Sequence, residues 1–465
     1  MIKLLVLTLL FICQSWIEVS AQVDTAWVRR FNYPTNAIDI PNVIKVDDSG
    51  YVYVGGKISR VLNYQDFALI KYKPNGDTLW AKFYDSPVNY GGELKDMALD
   101  NSGNIIVTGN STGTNYDDYA TIKYDTYGNV IWAKRIDKGD VDQSLKLDTD
   151  NMGNVYVTGV SWRIYESNNF LTVKYNSNGD TVWTHTFVGN EDASDIPRAI
   201  AVDSQGNVFV GGETDWRWGT PDFVTIKYYP SGGTAWLAQY NGSQNNHDYF
   251  RAMALDGEDN IYVTGEFYSS GTTDLDIVII KYDNITGDTI WVKKYKGVGN
   301  GDDTVRDIAI DSLGNIYLTG STFVSGTGYD FLTMKFNPSG ELQWTSTYAG
   351  RSNYNDDANS IALDRFGNVY VAGKSWGYFN DNEYATIKYD SNGNEKWAIR
   401  YRGVNSNLFN SIPSDICVDN IGNVYITGSS QGINTGYDFA TIKYIQTPSS
   451  LEDFSLDIPT IFSLS

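Results

Sequence analysis

The chain carries two histidines, His185 and His247, and two cysteines, Cys13 and Cys417. His185 falls in the strand-like stretch VWTHTF and His247 in the polar stretch NNHDY. Neither stands in a G-x-S-x-G or H-E-x-x-H context, so serine-triad and zinc-hydrolase chemistry lack their parts. Cys417 lies in DICVD, where nothing nearby would lower a thiol pKa; it reads as a buried, inert thiol. Carboxylates are plentiful, with 56 Asp and Glu. A carboxylate pair for glycoside cleavage depends on space rather than spacing, so that chemistry stays open. Asp248, Asp302, Asp303, Asp356 and Asp357 precede short apolar strands. Such acids are candidates to hold Ca2+ through oxygen ligands, against the plainer reading of solvated acid at strand starts. No other cofactor is expected.

Aromatic residues give the second set. Of 13 tryptophans, eight recur at a fixed place in a repeat and Trp16 lies near the N-terminus. Trp162, Trp216, Trp218 and Trp376 remain, in the loop-like stretches SWRIYESNN, ETDWRWGTPD and KSWGYFNDNEYA, which also hold Tyr165 and Tyr378. Aromatics beside Asn, Asp and Arg suit stacking on sugar rings or anchoring a protein partner; the alternative is packing between neighbouring loops.

The elements that position these residues come from three landmarks, each present eight times. The first is a hairpin of the form DNSGNIIVTG (100–109), the second a strand of the form YATIKY (119–124), the third a tryptophan, from Trp27 to Trp397. The period is about 53 residues. Each unit reads as four strands, a to d, rich in Val, Ile, Thr, Tyr and Trp. Asp and Gly-Asn punctuate the a–b and c–d connections, as tight turns require. Units of this kind predict an all-β, eight-bladed β-propeller over residues 22–446. The segment DTAWVRRFN is a lone strand d and the last unit stops after strand c, so the first strand is expected to complete the last blade. Lys71, Lys123, Lys174, Lys227, Lys281, Lys335, Lys388 and Lys443 recur in strand c and are expected to pair with the repeat aspartates Asp47, Asp100, Asp150, Asp203, Asp256, Asp311, Asp364 and Asp419.

The pattern D-x-x-G-N-x-Y-V-T-G followed by D-x-x-T-I-K-Y-D-x-x-G-x-x-x-W resembles the secreted bacterial β-propeller (SBBP) repeat family. The resemblance implies an extracellular propeller and no particular reaction; the family name implies seven blades, where this chain shows eight of every landmark. The stretch from Asp125 to Trp132 is also similar to the tryptophan-docking turn of quinoprotein dehydrogenases, in its structural part only. Residues 1–21 read as a signal peptide, with Lys3, an apolar Leu4-to-Ile12 core and Val19-Ser20-Ala21 before the cleavage point. Residues 447–465 read as a disordered tail resembling the linker ahead of a type IX secretion sorting domain, with truncation before that domain the expectation. The formal charge of −21 disfavours nucleic acid and anionic lipid as partners. Membrane insertion is not expected. The expected protein is a monomeric, secreted or cell-surface, non-enzymatic module that binds a protein or glycan through b–c and d–a loops on one face. The alternative is a polysaccharide hydrolase or lyase using carboxylates at the channel mouth.

Overall fold

The computed structural model describes residues 22–61, 64–86, 91–113, 116–138, 140–163, 167–189, 194–214, 221–242, 246–268, 274–351, 353–377, 381–404 and 410–447. These form eight four-stranded antiparallel sheets, each with its strands in the order a-b-c-d. Blades 1 to 7 span residues 40–84, 92–136, 141–187, 195–240, 248–295, 303–348 and 357–401. Blade 8 takes strands a to c from residues 411–447 and strand d from Gln22–Phe31. That last pairing runs antiparallel from Gln22 opposite Thr447 to Phe31 opposite Phe439. The expected ring closure is therefore present.

Burial follows strand position. Each strand a touches both neighbouring strands a, which places it on the inner circumference. Strands b and c are flanked on both edges and covered on both faces by adjacent blades, so their side chains are almost all buried; the Asn169–Tyr175 strand is buried throughout. This explains their near-continuous apolar runs. Strand d alternates, as in Leu342–Tyr348. Strand a carries a register shift at the same place in every blade, for example between Phe250 and Ala252.

The a–b turns are built alike. In blade 2, Asp100 Oδ1 accepts the N–H groups of Ser102 and Asn104, both at 2.9 Å, and Gly103 supplies the positive φ of 75°. Blade 5 puts Asp259 in that left-handed place, at φ 63°. The c–d turns do more than reverse the chain. The indole of every strand d except that of blade 7 lies over the glycine of the next blade's c–d turn. A Cβ on Gly179 would come within 2.7 Å of the Trp132 ring. Trp132 Nε1 also donates to Ser177 O in that turn, at 3.1 Å. Trp27, Trp183, Trp236 and Trp344 make the same bond to Pro74, Pro230, Asn284 and Ser391 at 3.0–3.2 Å. Trp397 faces blade 8, which has no c–d turn, and Gln446 Oε1 accepts its N–H at 3.4 Å.

The strand-c lysines divide into two groups. Lys123 and Lys227 form ion pairs with Asp100 and Asp203, at 2.8 and 3.7 Å. In most other blades a strand-b tyrosine takes the aspartate, as Tyr156 OH does on Asp150 at 2.9 Å. The lysine then rests over that ring, 5.0 Å for Lys174 on Tyr156, and donates to the next blade's turn, Pro230 O at 3.0 Å. Direct pairing occurs where strand b offers Ile106 or Phe209 instead of Tyr. The structural role expected of these lysines holds, with a tyrosine interposed wherever its hydroxyl is available.

Replacing Gly179 by Ala should cost about 2–4 kcal/mol, from the left-handed φ and the clash with Trp132 together. Gly233→Ala, where the nearest atom is 3.8 Å from the new methyl and φ is ordinary, should be near neutral. Urea unfolding of the two variants reads the difference.

Candidate functional site

One face of the ring carries the short a–b and c–d turns, and their acids are spent on turn geometry. The opposite face carries the b–c and d–a loops, where length and composition vary. The loops of this face are tethered by buried acid. Asp39, Asp142, Asp195, Asp248, Asp303 and Asp356 are 0–1% exposed. Each accepts, through Oδ2, the N–H of a residue a few positions earlier, at 2.5–2.6 Å: Tyr33, Gly189, Gly242, Gly297 and Gly350 stand six before their acids, and Lys138 four before Asp142. The loop also bonds to the preceding blade through its main chain, as Asp248 N does to Pro221 O at 2.7 Å.

The acids expected as a carboxylate rim have protein partners in this geometry. Asp248, Asp303 and Asp356 turn into the blade junction and close their own loops. Asp302 Oδ1 accepts Leu275 N–H at 2.8 Å, and Asp357 pairs with Lys374 at 2.8 Å. All five expected Ca2+ ligands thus have structural partners. Among the described residues, the carboxylates that converge belong to Asp118, Asp137 and Asp142, with oxygens within 4.8 Å of one another. There Arg135 already pairs with Asp118. A Gly-x5-Asp ending four of the d–a loops, at Asp195, Asp248, Asp303 and Asp356, was the sequence signal for the tether.

Of the aromatic candidates, Tyr165, Trp216, Trp218 and Tyr378 lie outside the described residues. Trp162 ends strand b of blade 3, partly exposed, with its backbone opposite Val141. Trp376 ends strand b of blade 7. Its N–H bonds Asp356 Oδ1 at 2.9 Å and its ring lies 5.7 Å from that of Tyr354, which is 56% exposed. Trp376 is thus a half-buried support beneath an open tyrosine.

The acid that opens strand c is matched by a cation on strand d in several blades. Arg30 binds Asp438 at 2.8 Å and Arg400 binds Glu383 at 2.5 Å. Blade 3 places neutral Asn169 and Thr186 at these two positions. In blade 4 the acid stays and the cation does not. Asp222 has Gln239 in the arginine place and no ion pair among the described residues. Burial, with Asp248 nearby, pushes its carboxyl up to about 6. Asp248 is likewise pushed to about 6 by burial, against the pull of the Gly242 N–H.

Inside the ring, acids on strand a bind the next blade. Asp96, Asp148, Asp307 and Asp415 accept the N–H of Leu147, Val202, Ile361 and Ile44, at 2.8–3.0 Å. Ser360 Oγ stands 3.1 Å from both Asp307 and Asp415. Burial raises the pKa of Asp415 and the Lys45 ammonium draws it back. Burial also pushes the Cys417 thiol up, which suits an unreactive role. Nearer the loop face, the residue at the strand-a bulge is Arg198, Arg251 and Arg306 in three successive blades, a grouping that a pass along the sequence did not reveal because its members are more than 50 residues apart.

A ring of eight such sheets, closed by its N-terminal strand, defines an eight-bladed β-propeller with one variable face. Three segments, residues 182–215, 290–324 and 343–380, match the family described as SBBP, beta-propeller repeat. Each runs from strand d of one blade through strands a and b of the next. The chain thus carries SBBP-type repeats at these three places within its eight-bladed ring. It is 23% identical to an uncharacterized WD repeat-containing protein, L264, of Acanthamoeba polyphaga mimivirus, over 84% of this chain and 33% of the viral protein. The chain thus spans about a third of that relative. Among solved structures it resembles a quinohemoprotein alcohol dehydrogenase from Comamonas testosteroni, with TM-score 0.54, 11% identity, and coverage of 90% of this chain and 76% of that one. It also resembles Sqt1 from Chaetomium thermophilum, with TM-score 0.52, 8% identity, and coverage of 92% and 100%. At these identities the likeness is one of fold.

Asp222→Asn should change stability in a pH-dependent way. A carboxyl whose pKa is raised by folding adds most to stability below pH 4 and loses that share as pH rises through 6. The variant should therefore gain on the parent between pH 4 and pH 7, by roughly 1–2 kcal/mol after solvent screening. Denaturant melts at both pH values test this, and a constant difference would refute it.

Proposed function

We propose that the protein is an exported binding module that recognises a glycan or protein through its loop face. The observation that carries this reading is the contrast between the two faces. The turn face repeats one five-residue a–b turn in all eight blades. The loop face differs from blade to blade, yet its loops are tied down by buried carboxylates. Varied side chains on fixed loops are the arrangement from which recognition surfaces are made. The acids at the mouth are engaged in hydrogen bonds and ion pairs, which favours binding over carboxylate-based cleavage. The apolar N-terminal segment with its Val19-Ser20-Ala21 end supports export.

The two faces differ in exposed aromatics that can be removed without touching the core. Tyr354, 56% exposed, lies on the loop face, and Phe366, 62% exposed, tips an a–b turn on the other. On a glycan array, or with a purified protein ligand, Tyr354→Ala should weaken binding about tenfold or more and Phe366→Ala should not. The reverse result would place recognition on the turn face and end this reading.

A further inference from the structure

The strand-a bulge positions around the ring are Asn42, Lys95, Leu145, Arg198, Arg251, Arg306, Asn359 and Ser414. Three arginines therefore stand side by side in blades 4, 5 and 6, at one level of the inner circumference and towards the loop face. A chain of formal charge −21 rarely sets three cations together without use for them.

Their partners leave capacity free. Arg198 Nη2 reaches Glu213 Oε2 at 3.2 Å, while its Nε is buried with no acceptor among the described residues. Arg251 Nε bonds Glu266 Oε2 at 2.7 Å. The other oxygen of Glu266 accepts Val305 N–H at 3.1 Å, so this buried glutamate is fully used in holding blade 5 to blade 6. Arg306 is exposed and forms no ion pair among the described residues; it feels Glu266 only at longer range. Among the described residues, two carboxylates thus face three guanidinium groups.

An aromatic surface adjoins them. Tyr249 lies two residues before Arg251 on strand a, and the guanidinium stands 5.3 Å from its ring centre. His247 is nearly parallel to Tyr249, with centroids 5.9 Å apart and planes at 15°. Burial raises the Tyr249 hydroxyl pKa, helped by the adjacent Tyr268.

We infer that the channel mouth at blades 4 to 6 is a binding site for an acidic saccharide, with Arg198, Arg251 and Arg306 taking its carboxylate or sulfate and Tyr249 and His247 stacking on its ring. Guanidinium forks match planar or tetrahedral oxyanions, and a flat aromatic pair suits the C–H face of a pyranose. The surrounding negative charge opposes densely charged polymers, so a chain with about one acid per sugar fits best. This inference rests on the loop face being the recognition face.

The test is calorimetry on the intact propeller with tetragalacturonate, and with cellotetraose and tetraglutamate as the neutral and peptide counterparts. Tetragalacturonate should bind, weaken as salt rises, and lose at least tenfold in affinity in Arg306→Ala. That arginine supports no ion pair, so its loss should leave folding intact, and Arg306→Lys should recover part of the affinity. Arg251→Gln should lose a similar amount, with circular dichroism checking its fold. Unchanged affinity in Arg306→Ala, equal binding of tetraglutamate or cellotetraose, or no binding of tetragalacturonate would each overturn the inference. A ligand lost in Tyr354→Ala but kept in Arg306→Ala would leave the loop-face reading standing and remove only the acidic-sugar site.

Discussion

The contact between an indole and a glycine in the next blade governs this ring. A blade has two apolar faces and a wedge shape, and burial alone would let neighbouring wedges slide. The tryptophan removes that freedom. Its ring covers a residue that can have no side chain, in a turn whose backbone needs the left-handed region, and in five blades its N–H bonds a carbonyl of the same turn. Position, tilt and register between blades are thus set by one side chain. The strand-c lysine adds a second bond to the same turn, at Pro230 O for both Trp183 and Lys174. Because the lock joins a blade to its successor, the constraint is directional and passes around the circle, with Gln446 standing in for the turn where blade 7 meets blade 8.

The repeat made this part of the structure legible in the sequence. Eight copies of the Trp, of the strand-c Lys and of the a–b hairpin that opens on Asp reported the blade count, and the displaced strand d around Trp27 reported the closure. The lysine–aspartate pairing was legible only in part, because a tyrosine hydroxyl competes for the same carboxylate. Strand b carries Tyr at that position in six blades, and only Ile106 and Phe209 leave Asp100 and Asp203 to the lysine.

The loop face was less legible for a different reason. Acids such as Asp248 and Asp356 look solvent-facing in a linear reading, since their neighbours are Asn, Ser and Gly. Their orientation is decided by the N–H six residues upstream, a contact across a loop rather than along a strand. The arginine cluster was hidden by the same property of rings. Residues far apart in the chain share a level because strand a bulges once per blade at a fixed place. The reading of Trp376 changed with its surroundings, since Tyr354 stands over it and takes the exposed position.

The closing sheet has a kinetic corollary. Phe31 pairs with Phe439 and Gln22 with Thr447, so these contacts join residues roughly 410 positions or more apart. Every other blade completes itself from one continuous stretch of chain. A polypeptide emerging from its N-terminus can therefore assemble seven wedges in order while its first strand has nothing to join. Until the final strand appears, that segment and the open side of blade 1 stay solvent-exposed, and the assembly remains a curved, incomplete stack. Arrival of Tyr437–Thr447 converts the stack to a circle in one step, so stability should accrue late and cooperatively rather than blade by blade.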